Sequence, residues 1–187
     1  MPPKVKITKE DIIKTAVELV RKDGEGAINA RNIASALNCS TQPIFSNFAT
    51  MDELKFAVIE KADEICNEYI KREIESGIYV PYKASGMAYI RFAKEEKELF
   101  KLLYMRDRRT EEIIGGTDLE NQMSQMVKDN TGLDGDKNKL FHLEIWAYVH
   151  GVATMFATNY FELDWELVSN MITDVYQGLK KHYGVEE

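Results

Sequence analysis

The stretch NARNIASALNCSTQPIFSNF, Asn29 to Phe48, decides the fold of this chain. Ile33, Ala34 and Leu37 recur at i, i+1 and i+4, the spacing of one apolar stripe on a short helix. Asn29 is placed to cap that helix by accepting a backbone N–H that has no partner within it. Asn38 follows the stripe, and after glycine asparagine best tolerates the left-handed conformation of a helix exit. Ser40 offers a second N-cap, and Pro43 falls in a first turn, where no backbone donor is needed. Ile44, Phe45 and Phe48 are the expected apolar anchors of the second helix, with Cys39 filling a small apolar slot after the turn. Helices this short bury too little surface to stand alone, so a third must pack on them. The pattern is a helix-turn-helix whose second helix is presented outward.

The third partner lies upstream. Thr8 and Asp11 form a capping box, Ile7 and Ile12 a hydrophobic staple, and the helix they open carries Ile12, Ala16, Leu19 and Val20 on one face. Asp23-Gly24 ends it. Residues 1–7, with Pro2, Pro3 and alternating lysines, read as an arm. Downstream, Thr50 and Glu53 repeat the capping pattern and open a linking helix from about residue 51, through Leu54, Val58, Ile65 and Tyr69 towards Gly77. Val80-Pro81 interrupts it, because the residue before proline resists the helical region. Helical segments follow near 83–95 and 96–106, then a loop at Gly115-Gly116 and a helix capped by Thr117 with Glu120 that runs to Asn130. Thr131 to Asn138 is turn chemistry. Two long helices close the chain, near 137–160 and 165–183, the second capped by Asp164 and stapled by Leu163 with Val168. No stretch alternates as a strand does. The expected fold is all-α: a three-helix head in residues 1–50, and a larger helical body in residues 51–187 that opens with the linking helix.

The chain has 187 residues, 44% of them hydrophobic and 29% charged, within the range of a folded globular protein. No apolar run approaches the roughly 20 residues of a membrane helix. Lysines and acids from Lys4 to Glu18 leave no signal-peptide core, and two cysteines make no disulfide scaffold, so a cytoplasmic location is expected. The net charge of −7 is unevenly spread. Of 24 Lys/Arg and 31 Asp/Glu, the first fifty residues hold seven and five, leaving seventeen and twenty-six for the rest. DNA carries roughly one negative charge per 1.7 Å of axis, so a basic head on an acidic body suits contact with it at one end only.

Residues 8–55 resemble the DNA-binding domain of TetR-family transcriptional regulators. The resemblance rests on the capped helix Thr8–Gly24, on Ile33-Ala34-Ser35-Ala36-Leu37, on Ser40-Thr41-Gln42-Pro43, and on Phe45-Ser46-Asn47-Phe48 with Met51-Asp52-Glu53-Leu54 after it. A second segment, Trp146-Ala147-Tyr148-Val149-His150-Gly151, is similar to the Trp-His-Gly motif of one subgroup's C-terminal domain. The resemblance implies a homodimer joined through the last two helices, with DNA-reading heads and ligand-sensing bodies. Three positions depart from the family pattern. Asn38 stands for the turn glycine, Phe45 and Asn47 for the recognition-helix aromatic pair, and Met51 for a lysine, and the last two changes each remove a phosphate contact.

Residues at the start of a recognition helix meet base edges in the major groove, where all four base pairs differ. Gln42 suits a bidentate pair with adenine, and Thr41 a thymine methyl or a base-edge acceptor. Pro43, Phe45, Ser46 and Asn47 share that helix, with Ser46 and Asn47 in reach of a base or a phosphate. Asn29, Arg31, Ser40 and Lys55 are the expected phosphate contacts, which position the helix without reading sequence. The expected partner is a palindromic double-stranded operator. In the body, aromatics and flexible methionines suit an adaptable apolar pocket, for which Tyr104, Met123, Trp146 and His150 are the candidates. A small apolar or aromatic effector that releases a repressor from its operator is the leading reading; control by a protein partner is the alternative. His142 and His150 flank Glu144, but eight helical residues set them about 80° and 12 Å apart, too far for one ion. No metal, no cofactor and no catalytic group is expected, since no nucleophile–base pair, ligand spacing or phosphate loop is present.

Overall fold

A computed structural model describes residues 7–107 and 118–185 of the chain. Among them the helices run α1 (Lys9–Asp23), α2 (Ala30–Ala36), α3 (Gln42–Asn47), α4 (Met51–Glu75), α5 (Pro81–Glu95), α6 (Lys97–Tyr104), α7 (Asp118–Thr131), α8 (Gly135–Ala157) and α9 (Trp165–His182). A short 3₁₀ turn, Glu25–Ala27, follows α1, and no strand occurs among the described residues. The fold is all-α, as the patterning predicts. The loop at Gly115-Gly116 and the cap of Thr117 with Glu120 lie outside the described residues and side chains.

Two compact units are formed. The first takes in the described residues up to Asn67 together with Glu96–Arg106, and the second takes in Glu68–Glu95 and the described residues from Asp107 onward. The residues expected as a three-helix head thus share a unit with the first turns of α4 and with α6. α4 supplies residues to both units.

In the first unit, Thr8 caps α1 with both halves of the capping box present: Asp11 N–H donates to Thr8 Oγ1 at 3.1 Å and Thr8 N–H to Asp11 Oδ2 at 2.9 Å. Ile12, Ala16, Val17 and Val20 are buried, so Val17 takes the core position expected of Leu19, which is only half-buried. Gly24 ends α1 at φ 76°, a conformation open to glycine, and its N–H closes the helix on Val20 O. Arg21 spans to the start of α6, donating to both oxygens of Glu96 at 2.7 and 2.8 Å. α6 contributes Leu99, Phe100, Leu102 and Leu103 to the core.

α4 buries Leu54, Val58, Ala62, Cys66 and Ile70, a ridge of strict fourth residues. Ile65 and Tyr69, expected on that face, are half-buried, because a step of four rather than three carries the ridge to their neighbours. Glu53 closes the start of α4, accepting from Ala49 N–H at 2.8 Å while its own N–H donates to Thr50 Oγ1 at 3.1 Å.

In the second unit, α5 is the most buried helix, with Phe92, Ile90, Met87 and three alanines fully inaccessible. It lies beside α8 in the same direction, since Tyr82 meets His142, Gly86 meets Val149, and Lys94 meets Phe156. A Cβ at Gly86 would sit 3.4 Å from the Val149 side chain, so the glycine permits this close approach. α9 runs antiparallel to both: Phe141 packs on Tyr183, and Arg91 on Trp165. Asp164 caps α9 by accepting from Glu166 and Leu167 N–H, and Val168 behind it is buried. α8 begins at Gly135 on the Asp134 cap, two residues before the expected start, and ends at Ala157. Buried Asn138 joins it to α7, donating to Ser124 O and Leu133 O and accepting from Ser124 Oγ.

Candidate nucleic-acid interface and body site

The helix pair expected over Asn29–Phe48 forms. Asn29 caps α2 by accepting from Asn32 N–H at 2.9 Å. α2 closes with Asn38 in the left-handed region at φ 51°, Cys39 N–H donating to Ala34 O at 2.9 Å and Asn38 N–H to Ser35 O at 3.1 Å. That pair of bonds is a Schellman exit, in which an αL residue redirects the chain while satisfying the last carbonyls. Ser40 does not cap α3. Thr41 occupies the cap position in a helical conformation, so no side-chain oxygen reaches back to the first donors, and Pro43 removes one of those donors instead.

α3 turns Ile44 inward at 0% exposure, and Phe48 beyond its end is 2% exposed. Phe45, expected as a third anchor, is 53% exposed. One residue rotates the helix by about 100°, so Phe45 cannot share the face of Ile44 and Phe48. It stands instead with exposed Gln42 and Ser46 on the outward side. Ser46 Oγ donates to Gln42 O at 2.9 Å, and Asn47 Nδ2 to Pro43 O at 2.7 Å. Both side chains are therefore turned back on their own helix.

Of the expected phosphate contacts, Arg31 and Ser40 are exposed and Arg31 makes no ion pair among the described residues, whereas Lys55 pairs with Glu25 in the 3₁₀ turn after α1. The sequence reading missed Lys9, the first residue of α1. Its ammonium lies 3.3 Å from Glu53 and 4.7 Å from the centre of the Phe48 ring. The Ala49 N–H foremost, and then Lys9, hold the Glu53 carboxyl below the usual carboxylate range.

Of the four body candidates, the structure joins two. Trp146 stacks on His150 one turn later, ring centres 4.9 Å apart and 16° from parallel, with Trp146 43% exposed. His150 Nδ1 lies 2.9 Å from the hydroxyl of buried Tyr89, and burial holds the imidazole below its ordinary pKa. Met123 is buried on α7. Tyr104 belongs to the first unit, where its hydroxyl meets Cys66 Sγ at 3.5 Å and its ring meets Phe100. Burial pushes the Cys66 thiol up to about 12, the Tyr104 bond opposing.

A second tyrosine–histidine pair repeats the first: Tyr82 Oη lies 3.0 Å from His142 Nδ1. The spacing is compatible with this pairing but does not by itself reveal it. Two tyrosines seven apart and two histidines eight apart span about 10.5 and 12 Å of helix, similar lengths that pair first with first and second with second because the helices run parallel. Among the described residues no group of three His, Cys, Asp or Glu side chains is placed to hold a metal ion, and no helix is long and apolar enough to cross a membrane.

Residues 82–175, the span carrying the α5–α8 seam, match the family described as tetracyclin repressor-like, C-terminal domain. The chain belongs to the TetR family. Solved structures with the TetR fold resemble it at low identity. A TetR-like transcriptional regulator from Rhodococcus sp. RHA1 is 14% identical, with a TM-score of 0.69 over 96% of this chain and 98% of its own. A TetR-family member from Streptomyces coelicolor A3 is 14% identical, with a TM-score of 0.60 over 89% of this chain and 96% of its own. The multidrug-binding protein EbrR, solved with imidazole, is also 14% identical, with a TM-score of 0.58 over 89% and 88%. Comparison with curated protein sequences gives no match.

Proposed function

We propose that this TetR-family regulator binds a palindromic operator as a homodimer and acts as a repressor that a small apolar or aromatic ligand releases. The observation that carries the reading is the outward face of α3. Gln42, Phe45 and Ser46 are exposed while Ile44 and Phe48 hold the helix from behind, the arrangement a helix needs to enter a major groove. In this reading residues 1–50 are the DNA-binding domain and residues 51–187 the ligand-binding and dimerisation domain. Gln42 and Thr41 read base edges, and Asn29, Arg31, Ser40 and Lys55 meet phosphates, Lys55 by exchanging Glu25 for the backbone of the duplex.

Dimerisation through the last two helices is supported by apolar side chains left exposed there: Leu140, Leu143 and Trp146 on α8, and Leu167 on α9. A dimer sets its two recognition helices about 34 Å apart to meet successive major grooves. A ligand that favours another setting of α4 disfavours that spacing, and a coupling of about 1–3 kcal/mol is enough to regulate. Trp146, His150 and Met123, all in the second unit, are the proposed ligand contacts. The aromatic stack of Trp146 on His150, and the multidrug binding of the structurally similar EbrR, support an aromatic effector, and the Trp146–Gly151 segment is the ground for placing the chain in the Trp-His-Gly subgroup.

The test is a mobility-shift titration against the promoter DNA flanking the chain's own coding region, at fixed salt and with random competitor. Saturable, competitor-resistant binding to a short palindrome is expected, with Gln42→Ala losing selectivity while the dimer persists by gel filtration. Equal binding to any sequence, or unchanged selectivity in Gln42→Ala, overturns the assignment.

A further inference from the structure

Phe45 poses a physical problem that its neighbours sharpen. A half-exposed phenylalanine leaves apolar surface in water at the centre of the face meant for DNA. Its ring makes no aromatic or cation contact among the described residues, although Phe48 nearby lies under Lys9. The donors that would otherwise read bases beside it are engaged, Ser46 with Gln42 O and Asn47 with Pro43 O. The outward groups left on α3 are the Gln42 amide and the Phe45 ring, three residues apart and so about 5–6 Å between Cβ atoms.

We infer that Phe45 is a specificity-determining residue that packs on the C5-methyl group of a thymine in the major groove, beside the base that Gln42 reads. This rests on the DNA-binding reading above. A phenyl ring offers no hydrogen bond to a phosphate or to a base-edge nitrogen or oxygen. Thymine alone presents an apolar group in the major groove, and that group distinguishes T·A from every other pair. Burying one methyl against the ring accounts for about a fourfold preference.

The probe is the set of duplexes that the full-length chain enriches from a random-sequence library. Each thymine of the enriched site is replaced in turn by deoxyuridine, which removes only the methyl, and binding is measured for the wild type and for Phe45→Ala. One thymine per half-site is expected at which deoxyuridine weakens the wild type about fourfold. Phe45→Ala is expected to bind the thymine duplex with a similar loss and to show no further loss with deoxyuridine. A wild type indifferent to every such replacement overturns the inference, and so does a folded Phe45→Ala that keeps the full sensitivity. Failure to enrich any sequence instead overturns the regulator reading beneath it, so the two failures are distinct.

Discussion

The helix-turn-helix and the α5–α8 seam satisfy their polar groups in opposite ways. In Asn29–Asn47 the bonds are local: Asn29 to Asn32, Ser46 to Gln42 and Asn47 to Pro43 span three or four residues. In the seam, Tyr82 reaches His142 and Tyr89 reaches His150, sixty and sixty-one residues away, and from the same α5 Lys83 donates to Thr173 on α9 across ninety. The first region is held in shape by its own backbone and by apolar side chains pressed from behind. The second depends on helices distant in sequence arriving in register. A surface that must present the same few side chains to a rigid duplex gains from the first design. A body that senses a ligand, as proposed above, would gain from the second, because long-range bonds are places where a bound molecule can alter the fit.

The largest test of this contrast lies at the foot of α3. Phe48→Ala should destabilise the chain by about 3–5 kcal/mol in denaturant titration, as a fully buried aromatic does. Phe45→Ala, one helical turn earlier, should stay within about 0.5 kcal/mol. Similar costs for the two would dissolve the distinction between inward and outward faces. Next in size is the turn. Asn38→Val forces a β-branched residue to φ 51° and should cost about 1–2 kcal/mol, whereas Asn38→Gly should be neutral or mildly stabilising. If valine is tolerated there, the turn is not fixed by its backbone.

The smallest effect belongs to the seam and appears only with pH. Burial holds the folded His150 below its ordinary value near 6.5, so the unfolded chain takes up that proton first. Stability from neutral His150 is therefore complete above about pH 6.5 and is lost as pH falls through the folded value. His150→Gln should narrow the gap in melting temperature between pH 7.5 and 5.5 by less than a single hydrogen bond's ~1 kcal/mol implies. An unchanged gap would mean that the imidazole titrates as freely in the folded chain as in the unfolded one.

The same contrast explains what could be read from the residues alone. Thr8, Asn29, Asn38, Thr50 and Asp164 announce helix boundaries through bonds to donors or turns within a few positions, and those boundaries match the structure closely. Ser40 misled because its neighbour Thr41 is already helical, a backbone detail that residue type does not encode. Phe45 misled because hydrophobicity was read without the angle that separates it from Ile44. The pairing of tyrosines with histidines was invisible for a different reason. Each residue is unremarkable on its own helix, and only the parallel course of α5 and α8 brings them together. Tyr104 illustrates the limit most plainly, since neighbouring body residues in sequence gave no sign that α6 returns to the first unit.

The ion pair of Lys55 with Glu25 changes what ionic strength can report about this molecule. An unpaired lysine that meets a phosphate frees one condensed cation from the duplex, and counting such cations is the usual way to count contacts. Lys55 already has Glu25 as a partner, which partly offsets its charge. If a phosphate takes it, as proposed, Glu25 loses its partner, and the exchange gains less than an unpaired lysine would. With Lys55 in its proposed role, the salt dependence of binding would understate how many ammonium groups touch the duplex.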